Sequence, residues 1–450
     1  MLQRTKSWIS WDLLACVFSA QGVFRFSNDR HRCAGLALLT ALTLAAASGS
    51  ATAANEVPAL RDWVAQLLQE HPRILAAQAN VDAEQAQGRA AQAPLYNPEL
   101  ELDAERAAAA NSFSAGVNQT LDWRGKRGSR TALASDRLQA ALAELDGVRQ
   151  ALAAEALTAL ALYQGARAEV TLAEKRFELL QRFMQVAVRR FEVGDFGRLD
   201  ADLARLAFAQ ARIRLAHART ALLDAEQSVR VLHGQAPSAW PALDMPLPTL
   251  TLPPDAELEP LLLRTPALRA AQARMNAARR AIDLAERERH ADPTLGVRGG
   301  RDGGDNADTR VGLSLTIPLG VRNPRRDEVD VARAQALAAE YERNTLYRQA
   351  RARLAGDAAR YRIVFDAWEE WRRGGGVTLG ERTALLNQVW ESGEISASDY
   401  LLQLQETLDT ESDAAELRGK AWATWSDWLA TSGQMAAWLE LSPPAPATPK

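Results

Sequence analysis

Two short segments alternate apolar with polar residues, and the same alternation returns two hundred or so positions later. Phe113, Ala115, Val117, Leu121 and Trp123 alternate with Ser114, Gly116, Asn118, Thr120 and Asp122. Val311, Leu313, Leu315, Ile317 and Leu319 alternate with Gly312, Ser314, Thr316 and Pro318. A period of two over about ten residues predicts a strand with one apolar face. Each such strand is the second of a pair; in the first half the pair is predicted at about 98–106 and 113–123. A tilted strand of this length suits a bilayer. The tips between paired strands, RAAAANS and GRDGGDNAD, are polar or small, as exposed loops are.

The rest of the pattern is helical. From Gly125 to Val193 there is no proline, and glycine occurs only at 128, 147 and 165. Leu133, Leu138, Leu142, Leu145, Leu152, Ala156, Leu160 and Tyr163 form an apolar stripe at spacings of three to seven. That is a coiled-coil-like seam on a rod of roughly 100 Å. A second rod is predicted from about Arg325 to Glu391, interrupted at Gly374-Gly375-Gly376.

The chain is one plan written twice. Pro72 matches Pro266, and Ala76-Ala77-Gln78-Ala79 matches Ala270-Ala271-Gln272-Ala273. NPELELDAE (97–105) matches DPTLGVRGG (292–300), GVNQTLDW (116–123) matches GLSLTIPL (312–319), and RFEVGDFGRLD (190–200) matches VWESGEISASD (389–399). The repeats are placed at 55–234 and 258–434. Between them 235–257 is rich in proline and reads as an extended surface connector. Residues 435–450 read as a disordered tail. Trp422, Trp425, Trp428 and Trp438, with Tyr361, Trp368 and Trp371, are expected in the core.

Residues 1–54 read as an address. Arg30, His31 and Arg32 precede the apolar run Cys33–Ala47, and Ala51-Thr52-Ala53 supplies an A-x-A site, the marks of a secretory signal peptide. The stretch before Val23 fits a start site placed too far upstream, and Leu13-Leu14-Ala15-Cys16 faintly resembles a lipoprotein box. Both cysteines, Cys16 and Cys33, fall in this leader, so the mature chain has no disulfide framework and no thiolate chemistry.

Composition narrows the function. The 450 residues are 47% hydrophobic but only 6% aromatic, with alanine and leucine dominant, as close-packed long helices require. A formal charge of −3 gives no basic footprint for nucleic acid. His71, His217, His233 and His290 lack companions at ligand spacing, so neither a metal site nor a cofactor is expected. No nucleophile, zinc or phosphate-loop motif occurs, and no enzymatic role is expected. Four strands cannot close, and an open edge in lipid leaves backbone groups unsatisfied. The barrel must be shared between copies, eight strands in a dimer or twelve in a trimer, and the periodicity does not choose between them. The fold class is therefore mainly α with a small β part: a duplicated long-helix α-barrel, plus four strands per chain contributed to a shared transmembrane β-barrel.

The duplicated plan and the tips Phe191-Glu192-Val193-Gly194-Asp195 and Trp390-Glu391-Ser392-Gly393-Glu394 resemble the TolC-like outer membrane efflux proteins over nearly all of 57–434. Gln119-Thr120-Leu121-Asp122-Trp123-Arg124-Gly125-Lys126-Arg127 resembles the CzcC-like cation-efflux branch. The resemblance implies a homotrimer in the outer membrane of a Gram-negative bacterium, with a large periplasmic extension, that docks a periplasmic adaptor (membrane fusion protein) and an inner-membrane RND-type pump. It also implies that Val193, Gly194, Asp195, Ser392, Gly393 and Glu394 meet the adaptor. Asp200 and Asp399, each in the first turn of a returning helix, are gate candidates; where the family has a second acid after the latter, this chain has Leu402. The simpler role for either is to favour the helix dipole. Trp123 and Pro318 are candidates for the membrane interface and the strand–helix junction. A duct for drugs or type I secreted proteins, or a soluble periplasmic coiled-coil scaffold, are the competing readings.

Overall fold

The computed structural model describes residues 53–106, 111–234, 236, 240–250, 255–303, 308–374 and 379–440. The expected leader, apart from its last two residues, lies outside these, as do 107–110 and 304–307 at the tips of the strand pairs. Helices α1 (Ala53–Glu70) and α2 (Pro72–Gln92) precede strands β1 (Glu99–Arg106) and β2 (Asn111–Thr120). Helix α3 (Lys126–Glu192) then runs 67 residues, and α4 (Arg198–His233) returns. After the connector and α5 (Asp255–Leu263), the order repeats in α6 (Pro266–Glu288), β3 (Thr294–Gly303) and β4 (Asp308–Thr316). The second long leg is α7 (Arg326–Gly374) and α8 (Leu379–Glu391); α9 (Ala397–Ser432) returns, and α10 (Met435–Trp438) follows.

Local chemistry sets these boundaries. Helices α2 and α6 both begin on a proline at the first turn, where its missing N–H is not needed. The amide of Arg73 donates to His71 Nδ1 at 3.2 Å, capping α2. The β2 ladder ends at Thr120, three residues short of the predicted end. Leu121 N still donates to Pro293 O at 2.9 Å, but Asp122 is drawn away to the start of α3. Its carboxylate accepts from Lys126 N at 2.8 Å and Arg127 N at 2.9 Å. Strand β4 stops at Thr316, so Ile317–Leu319 lie outside it too; Pro318 has no N–H to extend a ladder.

The four strands form one antiparallel sheet in the order β1-β2-β3-β4, the two pairs joined through β2 and β3. The helices follow the same lateral order. Near the sheet α2, α3, α6 and α7 stand side by side; farther along α3, the row is α4, α3, α9 and then α7 and α8. Helix α3 is thus central at both levels, with many buried alanines, among them Ala153, Ala156 and Ala161, that let its neighbours approach closely. Partly exposed pairs such as Arg274–Glu144 (2.7 Å) and Arg219–Glu174 (2.8 Å) brace α3 from either side; each is worth little alone.

Two expectations are corrected here. The connector is extended but not superficial. Trp240, Leu243, Met245 and Leu247 are buried, and Leu243 is only 2% exposed. Its amide donates to Gln164 Oε1 at 2.9 Å, and Arg418 donates to its carbonyl at 2.6 Å. Proline constrains backbone angles without keeping apolar side chains in water. Residues 435–440 are not a disordered tail either: Met435 and Leu439 are buried in the main core, because the apolar face of α10 packs back on α9 and α3. Residues 441–450 lie outside the described residues. The core does hold Tyr361, Trp422, Trp425 and Trp428 as expected, with Trp368 and Trp438 packed against it.

Candidate functional site

The sheet has two chemically distinct faces. Register sets Leu100 opposite Val117, Leu102 opposite Ala115 and Ala104 opposite Phe113. Val117 faces Val297, which faces Leu313, and Leu295 faces Leu315. These side chains make a continuous apolar face, and the large ones among them are all exposed in the single chain. Arg106 and Arg301 end it near the tips, and exposed Trp123 lies beyond the other end. Such a band over strands of eight to ten residues spans about 25 Å when tilted. The opposite face carries Glu99, Glu101, Asp103, Glu105, Arg298, Asp308 and Arg310 among serines, threonines and glycines. The outer edges of β1 and β4 pair with nothing among the described residues.

Where sheet meets helices, the two repeats are pinned together. Lys126 Nζ donates to Asp292 Oδ2 at 2.9 Å and to His290 O at 2.6 Å. The Lys126 side chain is 9% exposed and that of Asp292 1%. Tyr96 OH donates to the same Asp292 oxygen at 2.7 Å. That bond first, then burial and the carboxylate charge, push the Tyr96 phenol up to about 12. The other Asp292 oxygen has no partner among the described residues. Trp123 Nε1 donates to Ala291 O at 3.2 Å, and Arg124 lies over its ring at 5.3 Å. Trp123 therefore belongs to the junction while still presenting 60% of its surface. Pro318 is exposed in the segment between β4 and α7. Sequence reasoning missed the Lys126–Asp292 pair, whose members stand 166 residues apart.

At the far end the two tips are congruent. Gly194 has φ +85° and Gly393 φ +82°, the left-handed region that a Cβ disfavours. Gly194 N donates to Phe191 O and Asp195 N to Arg190 O; Gly393 N donates to Trp390 O and Glu394 N to Val389 O at the same offsets. Val193, Asp195, Ser392 and Glu394 are exposed, Val193 at 73%. Behind the turns lies a clamp that the sequence reading did not foresee. The Arg190 guanidinium sits 5.1 Å from the Trp390 ring and 5.4 Å from that of Phe196, and donates to Glu391 O at 3.3 Å. Trp390 stacks on Tyr400 at 5.2 Å. The only advance signal was an apolar residue two places past each tip glycine, Phe196 and Ile395.

Asp200 and Asp399 occupy equivalent first-turn positions of α4 and α9. Asp399 is exposed; its amide donates to Ser396 Oγ at 3.1 Å, and the Ser396 hydroxyl donates to its Oδ2 at 2.7 Å. Asp200 is half-buried, and its amide donates to Gly197 O. Both thus serve a helix start, and a single copy brings no ring together. Among the described residues no group of three or more metal-ligating side chains occurs. No described helix is long and apolar enough to cross a membrane.

Comparison with known proteins agrees with this geometry. Residues 63–235 match the family of the outer membrane efflux protein. The cobalt-zinc-cadmium resistance protein CzcC of Cupriavidus metallidurans is 27% identical over 230 residues, 50% of this chain and 55% of that one. Protein CyaE of Bordetella pertussis is 30% identical over 309 residues, 62% of this chain and 63% of that one. The chain thus matches less than two thirds of the length of either relative. Among solved structures, that of CusC, described for its transmembrane channel formation, superposes with a TM-score of 0.69 at 17% identity, covering 84% of this chain and 92% of that one. Residues 63–235 are thus similar to an outer membrane efflux protein, and the chain shares the TolC-like fold of the solved structures it superposes on.

Proposed function

We propose that this chain is the outer membrane exit duct of a tripartite efflux system, built from three copies and carrying metal cations outward. The observation that carries the reading is the row left open at both ends. An apolar sheet face, two unpaired sheet edges and helices unpartnered at both margins are satisfied together when copies close a ring in lipid. Three copies give twelve staves, continued by a helical tube on the periplasmic side. The duct takes no part in catalysis; it conducts. The exposed glycine tips, with Val193, Asp195, Ser392 and Glu394, offer the contact for a periplasmic adaptor and, through it, an RND-type inner-membrane pump. The excess of carboxylates on the inner sheet face favours cations over anions, in keeping with the CzcC relative's name. Asp399 and Asp200 become rings of three in the closed tube.

The test is reconstitution. Purified leader-free chain should run as a heat-modifiable trimer from outer membranes and give single-channel conductance in planar bilayers. A product that stays monomeric in detergent-free buffer ends the proposal. Restored growth on cobalt, zinc or cadmium, but not on drugs, in a strain lacking its own duct supports the cation cargo; the reverse selects a multidrug duct.

A further inference from the structure

We propose that neighbouring copies are locked at the barrel seam by two ion pairs, Arg310 of one copy with Glu105 of the next and Arg298 with Asp103. This rests on the duct reading and deepens it by fixing which edge residues meet and in what register.

The inner face of β1 is acidic at every position: Glu99, Glu101, Asp103 and Glu105. Successive members are about 7 Å apart along the strand and repel one another. Strand β2 offers them Asn118, Gly116, Ser114 and Ser112, with no cation. Asn118 donates to Glu101 at 2.8 Å and Ser114 to Asp103 at 3.3 Å, and no ion pair to any of the four occurs among the described residues. The row's other neighbour is the open edge. At the opposite edge of the same chain stands Arg310 on β4. One strand inward, Arg298 faces Gly312 on β4. A Cβ on Gly312 would lie 3.5 Å from Arg298 Nε and 3.6 Å from its Cγ. The arginine stem therefore runs across the glycine toward the margin of β4, which a larger side chain at 312 would obstruct. Each copy thus has an acidic margin without cations and another margin where Arg298 and Arg310 stand beside Asp308.

Closing the ring sets β4 of one copy antiparallel to β1 of the next, since the strands alternate in direction. Registers that keep the apolar faces together differ by steps of two. Each such register within the ladder puts an acid opposite Arg310, so Asp308, two residues earlier, decides among them. Arg310 opposite Glu105 carries Asp308 past the acidic row and avoids a like-charge pair. Gly312 then faces Asp103, where the guanidinium of Arg298 lies over the glycine.

Disulfide trapping in isolated outer membranes tests this, because Cys16 and Cys33 are the only native cysteines. Arg310→Cys with Glu105→Cys should give covalent oligomers on oxidation, whereas Arg310→Cys with Glu101→Cys should not, the Cα separation exceeding disulfide reach. Trapping at Glu101 or Asp103 instead overturns the register, and trapping at none of them while the trimer persists overturns the seam and leaves the duct intact. A parent chain that forms no heat-modifiable oligomer fails the duct reading itself. Charge exchange is the second measurement. Arg310→Glu should lose the SDS-resistant trimer, and adding Glu105→Arg should restore it. Loss without restoration refutes the pairing.

Discussion

Replacing Lys126 with methionine tests the joint between the repeats. The substitution keeps most of the stem volume and deletes the ammonium, so packing is nearly preserved. Asp292 then stays buried, its side chain 1% exposed, with the Tyr96 hydroxyl as its remaining side-chain donor. Removing one partner of a buried pair costs about 3–5 kcal/mol. The surviving Tyr96 bond places the expected loss at the low end, about 3 kcal/mol, which raises the unfolded population on the order of a hundredfold. Guanidinium unfolding of the detergent-solubilised protein, followed by tryptophan fluorescence and far-ultraviolet circular dichroism, should show the midpoint fall. The double variant Lys126→Met with Asp292→Leu removes both charges and should recover to within about 1 kcal/mol of the parent. A single variant as stable as the parent, or a double variant no better than the single, refutes the claim that this pair holds the junction.

Three further outcomes follow from the same geometry. Gly194→Val places a β-branched residue at φ +85°, costing about 1–2 kcal/mol at an exposed turn; adaptor crosslinking should fall while the trimer survives, and unchanged crosslinking removes the tips from the contact. Asp399→Ala loses its hydrogen bond with Ser396, about 1 kcal/mol at a helix start; planar-bilayer conductance unchanged from the parent reduces Asp399 to that local role. Burial works to raise the Asp409 carboxyl, but Arg176 (2.7 Å) and Arg214 (2.5 Å) outweigh it and hold it below the ordinary carboxylate range. Its stabilising contribution is therefore complete above that range and lost as pH falls through the depressed value. Asp409→Asn should flatten the acid limb of the stability–pH curve, and an unaltered limb refutes the assignment.

Much of the fold was legible because it depends on neighbours in sequence. The bounds of α3 follow from an uninterrupted proline-free run, and the tips from glycines that take the left-handed turn. The strands follow from alternation, though Asp122 and Pro318 shorten them by reactions a period count cannot see. What escaped depends on distant partners. The burial of Leu243 requires knowing that Gln164 of α3 and Arg418 of α9 hold it from either side. Lys126 looked like part of a short family motif until Asp292 was seen beside it. Nothing beside Arg190 in sequence points to Trp390, from the other repeat, whose ring lies beneath its guanidinium.

A row unfinished at both margins makes stability a property of the population rather than of the molecule. For the proposed ring of three, the amount of closed barrel varies with the cube of free chain, so halving the free chain cuts it by about eightfold. Dilution then acts as a denaturant, and on the proposed reading a cell that makes too little of this protein lacks finished ducts well before it lacks the polypeptide.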